Sequence, residues 1–269
     1  MEAWGSPHLE AHVAYLRHLG SAPGAEVRES GDLFAVRTRV RSNSENAVVS
    51  GAGARVARAT AEELAGWFEE WGVPASWLCA EGDRRAATVE TLAAAGYAAE
   101  RSAWEMQARI DALALDAGGT SAATRIEPVA SAGALDGWLE VAGACGWFET
   151  GESRGAMRDL FAGLGLGGSA PLRHYVALRG ASAVGMASAF FTREAVLLAS
   201  VAVLPALRRQ GIGRELALAR LREARDRGCA LALLAPSPDG AALYAALGFE
   251  SRPRPPDRWF YAPLRRPVS

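Results

Sequence analysis

The sequence predicts a mixed, mainly antiparallel α/β (α+β) sheet flanked by helices, accompanied by a second, degenerate domain of the same kind. Three observations predict it. Residues 174–203 hold three strand-like runs joined by short turns. The last of these runs leads through a proline and a glycine–arginine turn into an amphipathic helix. A strand–turn–helix–Gly-aromatic unit then follows at 229–249, and a fainter copy of it stands at 76–97.

The elements follow in order. Residues 131–145 and 154–163 carry apolar residues at mixed three- and four-residue spacing and are expected to be helices. HYVAL at 174–178 and the run 183–191 read as strands separated by the turn at 179–182. AVLLASVAV at 195–203 follows another short turn and is apolar on both faces, so a central, buried strand is expected. Short turns make these three strands antiparallel neighbours. Pro205 ends the third, since proline cannot donate to a ladder.

The loop 206–210 leads into a helix over 211–227. Its buried stripe is Ala217, Leu218, Leu221 and Ala224, while Arg220, Arg222, Glu223 and Arg227 are expected to face elsewhere. Gly228 stands in the usual C′ position. Residues 229–235 form a buried strand, Ser237 caps the next helix with Pro238 at its first position, and Gly248 ends it. Residues 249–252 and 258–264 are expected to close the chain as a hairpin around a Pro-rich loop.

The chain has 269 residues, which suits two domains. The small, weakly polar stretch 115–124 reads as their linker, giving domains over 1–115 and 120–269. A net charge of −1 gives no overall field for a polyanion, so DNA is not an expected partner. No apolar run reaches the roughly 18–20 residues that a membrane span needs. The N-terminal MEAWGSPHLEAH lacks a basic start and an apolar core, so no signal peptide is expected. Cys79, Cys145 and Cys229 are scattered, form no metal-ligand spacing and fit a reducing cytoplasm. His8 and His12 lie four apart without the Glu of an HExxH motif, so a solvated helix face is expected and no metal.

Every fixed side-chain cation is arginine, because the sequence contains no lysine. That absence excludes a P-loop, which needs its Lys on the phosphates, and a pyridoxal-phosphate Schiff base.

The sharpest motif is VAVLPALRRQGIGREL at 201–216. A helix start presents unpaired N–H groups and the positive end of its dipole, and so attracts anions. Gly211 and Gly213 let backbone approach a pyrophosphate, and Arg208, Arg209 and Arg214 add forked donors. A dinucleotide fold is excluded: its third glycine position is Leu216, and the preceding strand belongs to an antiparallel meander.

These residues resemble the GNAT acetyltransferases. Arg208, Gly211 and Gly213 fit the family's R/Q-x-x-G-x-G/A signature, with Val203-Leu204-Pro205 before it. SPDGAALYAALGF at 237–249 resembles its second signature, N-x-x-A-x-x-L-Y-x-x-x-GF, with Ser237 in place of the usual asparagine. The resemblance covers about 125–264. It implies acetyl-CoA as co-substrate, with pantetheine beside Val201, Ala202 and Val203 and in reach of Ser237. It places the pyrophosphate on Arg208, Arg209, Gln210, Gly211, Ile212, Gly213 and Arg214. It also implies that Tyr244 is the acid that protonates the leaving thiolate.

Aligning Gly96 with Gly248 puts Leu92 on Tyr244 and Tyr97 on Phe249. Nothing in 1–115 resembles RRQGIG, so the first half reads as a worn GNAT-like unit without phosphate loop or acid.

The acceptor is expected to be a small-molecule amine. Ser200, Glu149 and His174 are the candidates for a base or water-orienting group, and Trp147 and Phe148 for an aromatic wall. Three readings stay open: N-acetylation of a small amine; the same fold with a longer acyl donor, an aminoacyl-tRNA donor or acyl-CoA decarboxylation; and a coenzyme-binding sensor without turnover. Tyr244 and the intact loop favour catalysis.

Overall fold

The computed structural model describes residues 6–80, 82, 84–99, 104–116, 124–148, 150–253 and 259–262. The chain divides into two units, Met1–Ala103 with Pro253–Ser269, and Trp104–Arg252. Each has its own sheet.

In the first unit, α1 (Pro7–Gly20) precedes the hairpin β1 (Glu26–Ser30) and β2 (Leu33–Arg37). Then come β3 (Ala47–Ser50), α2 (Arg58–Glu69), β4 (Ala75–Cys79), α3 (Arg85–Ala94) and β5 (Ala98–Ala99). Ser6 caps α1 by accepting from the Leu9 N–H, and Pro7 occupies the first turn where no donor is needed. His8 is buried on this helix, against the expectation of a solvated face, because it falls on the stripe of Leu9, Leu16 and Leu19 that packs inward.

The second unit begins with β6 (Trp104–Arg109) and β7 (Arg125–Pro128), followed by α4 (Ala132–Ala144) and α5 (Gly151–Gly163). The meander β8 (Leu172–Arg179), β9 (Ser182–Phe191) and β10 (Ala195–Val203) is antiparallel throughout. Next come α6 (Ile212–Asp226), β11 (Leu231–Leu234), α7 (Pro238–Ala246) and β12 (Glu250–Pro253). Helix α5 starts three residues earlier than the apolar spacing predicts, because Thr150 caps it through the Ser153 N–H.

Strand β13 (Trp259–Ala262) does not form a hairpin with β12. It pairs antiparallel with β4 and β5 in the first sheet, whose order is β1-β2-β3-β4-β13-β5. The second sheet has the order β12-β6-β11-β10-β9-β8-β7, so β6 lies beside β11 although it falls within the expected first domain 1–115. The sequence-based boundary is corrected accordingly, and the expected linker 115–124 lies inside the second unit. The physical reason is the same at both places. The buried parallel strands β4 and β11 each need a partner on the side away from their helix-connected neighbour, and an antiparallel strand supplies it.

The two sheets share one plan. β3 and β4 are parallel and joined through α2; β10 and β11 are parallel and joined through α6. The closing turns agree in detail. The Tyr97 N–H donates to Leu92 O and the Phe249 N–H to Tyr244 O, both at 3.0 Å, with Gly96 at φ +89° and Gly248 at φ +99°.

Helix α6 lies close on the second sheet. A side chain at Gly185 would put its Cβ 3.0 Å from Ile212 and 3.2 Å from Leu216, so any larger residue would have to push these side chains of α6 aside.

Candidate active site

The site forms where β10 leaves its neighbour. β10 and β11 share only the pairs Ala195–Leu231, Val196–Ala232 and Leu197–Leu233. On its other side β10 shifts register against β9 between Ala199 and Ala202, and Ser200 takes a left-handed φ of +52°. This is a bulge built on a non-glycine residue, a conformation costing about 1–3 kcal/mol and typical of functional sites. The expectation of a strand buried on both faces therefore holds only for Ala195–Leu198. Val201 is 36% exposed and Ala202 and Val203 are half-buried, and among the described residues no strand pairs with that edge of β10 after Leu197.

Val203 O accepts from Arg208 Nε at 3.2 Å and Cys145 Sγ at 3.5 Å, while the Leu204 N–H donates to Val184 O. The end of β10 is thus tied to β9, to the turn after α4 and to the loop that follows.

That loop reverses through Pro205–Leu207, and Arg209 and Gly211 have φ of +63° and +83°. Gly211 is the N-cap of α6, and the first helical bond runs from the Glu215 N–H to its carbonyl at 3.1 Å. The amides of Ile212, Gly213 and Arg214 precede that ladder and point out of the helix start. Arg208, Arg209, Gln210 and Gly211 are exposed, Gly213 and Arg214 half-buried, and Ile212 is anchored in the core. A concave run of amides flanked by guanidinium groups at a helix N-terminus suits a phosphate anion.

Tyr244 lies on α7, whose N-cap Ser237 accepts from the Gly240 N–H at 3.2 Å. The Ser237 hydroxyl is thus engaged in capping, though exposed. The Tyr244 ring packs edge-on against Phe249, and the residue is 4% exposed. Its hydroxyl accepts from Arg220 Nη2 at 3.2 Å.

Arg220 corrects the sequence reading, which faced it away from the core: it is 0% exposed. It lies four residues from Leu216 and from Ala224, inside the buried stripe, and that spacing is the signal that would have found it.

The acceptor candidates separate. Trp147 is 42% exposed and stands edge-on to Trp138; Phe148 approaches Gly143. Both follow Cys145, whose thiol reaches Val203, so they lie on the turn beside the open end of β10. Glu149 lies outside the described residues. Ser200 sits in the bulge, half-buried. His174 is neither at a solvent edge nor a base at neutral pH. It is 3% exposed, lies at a tilt against Phe161 and edge-on to Trp138, and its Nδ1 is 2.7 Å from Ser188 Oγ. Burial, assisted by Arg173, pushes its pKa down to about 3.

No helix among the described residues is long and apolar enough to cross a membrane, and these residues contain no cluster of three or more potential metal ligands.

Residues 142–249 match the Acetyltransferase (GNAT) family. No curated protein matches the chain. Among solved structures, it is similar to a GCN5-related N-acetyltransferase from Kribbella flavida, with 18% identity over 95% of this chain and 94% of that one and a TM-score of 0.65. It is also similar to a functionally unknown conserved protein from Staphylococcus epidermidis ATCC 12228, with 14% identity over 87% and 90% of the two chains and a TM-score of 0.60. A tandem GNAT protein from the clavulanic acid biosynthesis pathway matches at 16% identity over 96% and 95%, with a TM-score of 0.53.

Proposed function

We propose that this chain transfers an acetyl group from acetyl-CoA to the amine of a small-molecule acceptor, a reading supported by the match of residues 142–249 to the GNAT acetyltransferase family and by the likeness in fold to a tandem GNAT protein. The observation that carries this reading is the continuity of two features. The uncovered edge of β10 after Leu197 runs directly into the left-handed Gly211 turn at the start of α6. A strand edge offers amide partners to a pantetheine arm, and the helix start offers them to the adjoining pyrophosphate.

Acetyl-CoA would supply an acetyl group activated as a thioester. Backbone groups of Val201, Ala202 and Val203 would pair with its amide arm. The amides from Gln210 to Arg214, with the Arg208, Arg209 and Arg214 side chains, would hold the phosphates. Trp147 and Phe148 would border the acceptor, whose neutral nitrogen forms a C–N bond to the acetyl carbon as the C–S bond breaks. Tyr244 would donate its phenolic proton to the departing sulfur. The proton released by the amine leaves through water near Ser200 and restores the phenol, so the products are the amide and the free thiol.

Thiol release from acetyl-CoA, measured against a panel of amino acids, aminoglycosides and other small amines, tests the proposal. Turnover with at least one amine is expected. Binding of CoA without turnover by any amine would favour a sensor, and turnover only with longer acyl thioesters would reassign the donor. Failure of calorimetry to detect either acetyl-CoA or CoA would overturn the reading.

A further inference from the structure

Arg220 makes four hydrogen bonds, all to neutral acceptors. Nε donates to Leu216 O at 3.0 Å; Nη1 donates to Ser188 O at 3.0 Å and Ala199 O at 3.2 Å; Nη2 donates to Tyr244 Oη at 3.2 Å. Among the described residues no carboxylate pairs with it. A fully buried guanidinium without a counter-charge is a poor way to stabilise a core, and an apolar side chain of similar volume would do as well or better. Leu216, Ala217 and Leu221, its neighbours along α6, are themselves fully buried, so Arg220 stands on the inward face of the helix.

Its partners are not a random set. Ser188 and Ala199 are register partners across β9 and β10, immediately before the bulge at Ser200. The guanidinium therefore spans the last regular β9–β10 pair before the bulge and, on its other nitrogen, the tyrosine of α7. One rigid, planar fork fixes both in a single geometry.

The direction of the last bond is unambiguous. A guanidinium has donors and no acceptor, so the phenolic oxygen receives the bond and its own O–H must point elsewhere. Among the described residues that hydroxyl donates to no acceptor. We infer that Arg220 is a positioning residue for acyl transfer, holding Tyr244 by its lone pair so that the phenolic proton is presented to the departing sulfur. This rests on the reading of Tyr244 as the acid. The negative charge that the guanidinium lacks in the resting protein develops on that sulfur as the C–S bond breaks, and Tyr244 relays the attraction.

The test is a double-mutant cycle on the full chain, reading kcat for thiol release from acetyl-CoA with water as acceptor, or with any active amine. Arg220→Met preserves length and packing, Arg220→Gln keeps a donor without charge, and Arg220→Lys keeps the charge without the fork. Calorimetric affinity for CoA and thermal unfolding are measured on each. In the presence of Tyr244, Arg220→Met should lower kcat about 10- to 100-fold, with CoA affinity little changed. Arg220→Lys should recover part of this. In the Tyr244→Phe background the same Arg220→Met change should alter kcat by no more than about twofold, since the group it acts through is gone.

An equal loss in both backgrounds would overturn the inference while leaving the acetyltransferase reading intact, as would unfolding of all three Arg220 variants. Full kcat in Tyr244→Phe alone would overturn both this inference and the role of Tyr244 as acid. Absence of acetyl-CoA binding by the unmodified protein would sink the underlying reading first.

Discussion

Leu197 on β10 faces Leu233 on β11 as the last residue pair that these two parallel strands share. The corresponding strands of the first unit stay together longer: β3 and β4 pair through Ser50–Cys79, and the Ala80 N–H then donates to Ser50 O at 2.9 Å. The Trp77 indole fills that region from within and donates to Ser50 Oγ at 3.1 Å. We therefore expect crystals soaked with CoA to show an ordered pyrophosphate against 209–214 only. Density for a pyrophosphate against 51–57 would refute this assignment.

Gly211 has φ +83°, and a Cβ added there meets nothing within 4 Å. The obstacle to substitution is thus backbone conformation and the approach of the phosphates, not crowding inside the protein. Gly211→Val forces a β-branched residue into the left-handed region and should abolish CoA binding in calorimetry. Gly213→Ala, whose Cβ would lie 3.7 Å from Leu243, should bind within roughly tenfold of the unmodified protein, about 1.4 kcal/mol.

Tyr244→Phe keeps the ring that packs on Phe249 and removes only the hydroxyl. Loss of a general acid costs roughly 10²–10⁴-fold in the step it assists. The loss should appear in kcat, with CoA affinity little changed. A folded variant with undiminished kcat, where chemistry is rate-limiting, would remove Tyr244 from the mechanism.

His174 links stability to pH. It is neutral in the fold, with its pKa lowered to about 3, whereas the unfolded chain takes up the proton near the ordinary value of 6.5. Between these values the unfolded state binds more protons, so stability is full above pH 6.5 and falls as pH drops toward 3. The loss should reach on the order of a few kcal/mol. Urea unfolding at pH 7 and pH 4.5 should show a smaller decline in His174→Gln than in the unmodified protein. Equal declines would show that other groups govern the acid limb.

Fragment boundaries should decide solubility. A fragment of residues 104–252 retains β6 beside β11, whereas 120–269 leaves the Leu231–Leu234 edge without it. The longer C-terminal fragment should aggregate at lower concentration in light scattering, because an uncovered apolar strand edge recruits other chains. Equal behaviour of the two would argue that β6 is dispensable.

The sequence by itself determined the elements that carry their own signal. The bounds 195–203 of β10 agree, since an apolar run between a short turn and a proline leaves little choice. Ser237-Pro238 marked the start of α7, and Gly96 and Gly248 marked equivalent closures after α3 and α7, because capping chemistry and left-handed glycines act within a few residues. Tertiary structure alone decided the rest. Nothing local to Trp104–Arg109 or Trp259–Ala262 says which sheet either strand joins; the uncovered edges of β11 and β4 decide it. The opening of β10 depends on where β11 stops pairing, not on the composition of β10. The sequence pattern faces Arg220 away from the core and offers His174 as a candidate base, yet both side chains are buried. Their burial depends on partners far along the chain, Phe161 and Ser188 for one and Ala199 and Tyr244 for the other. A pattern along one element reports which face it buries, whereas the groups that meet across that face are fixed only once the elements pack.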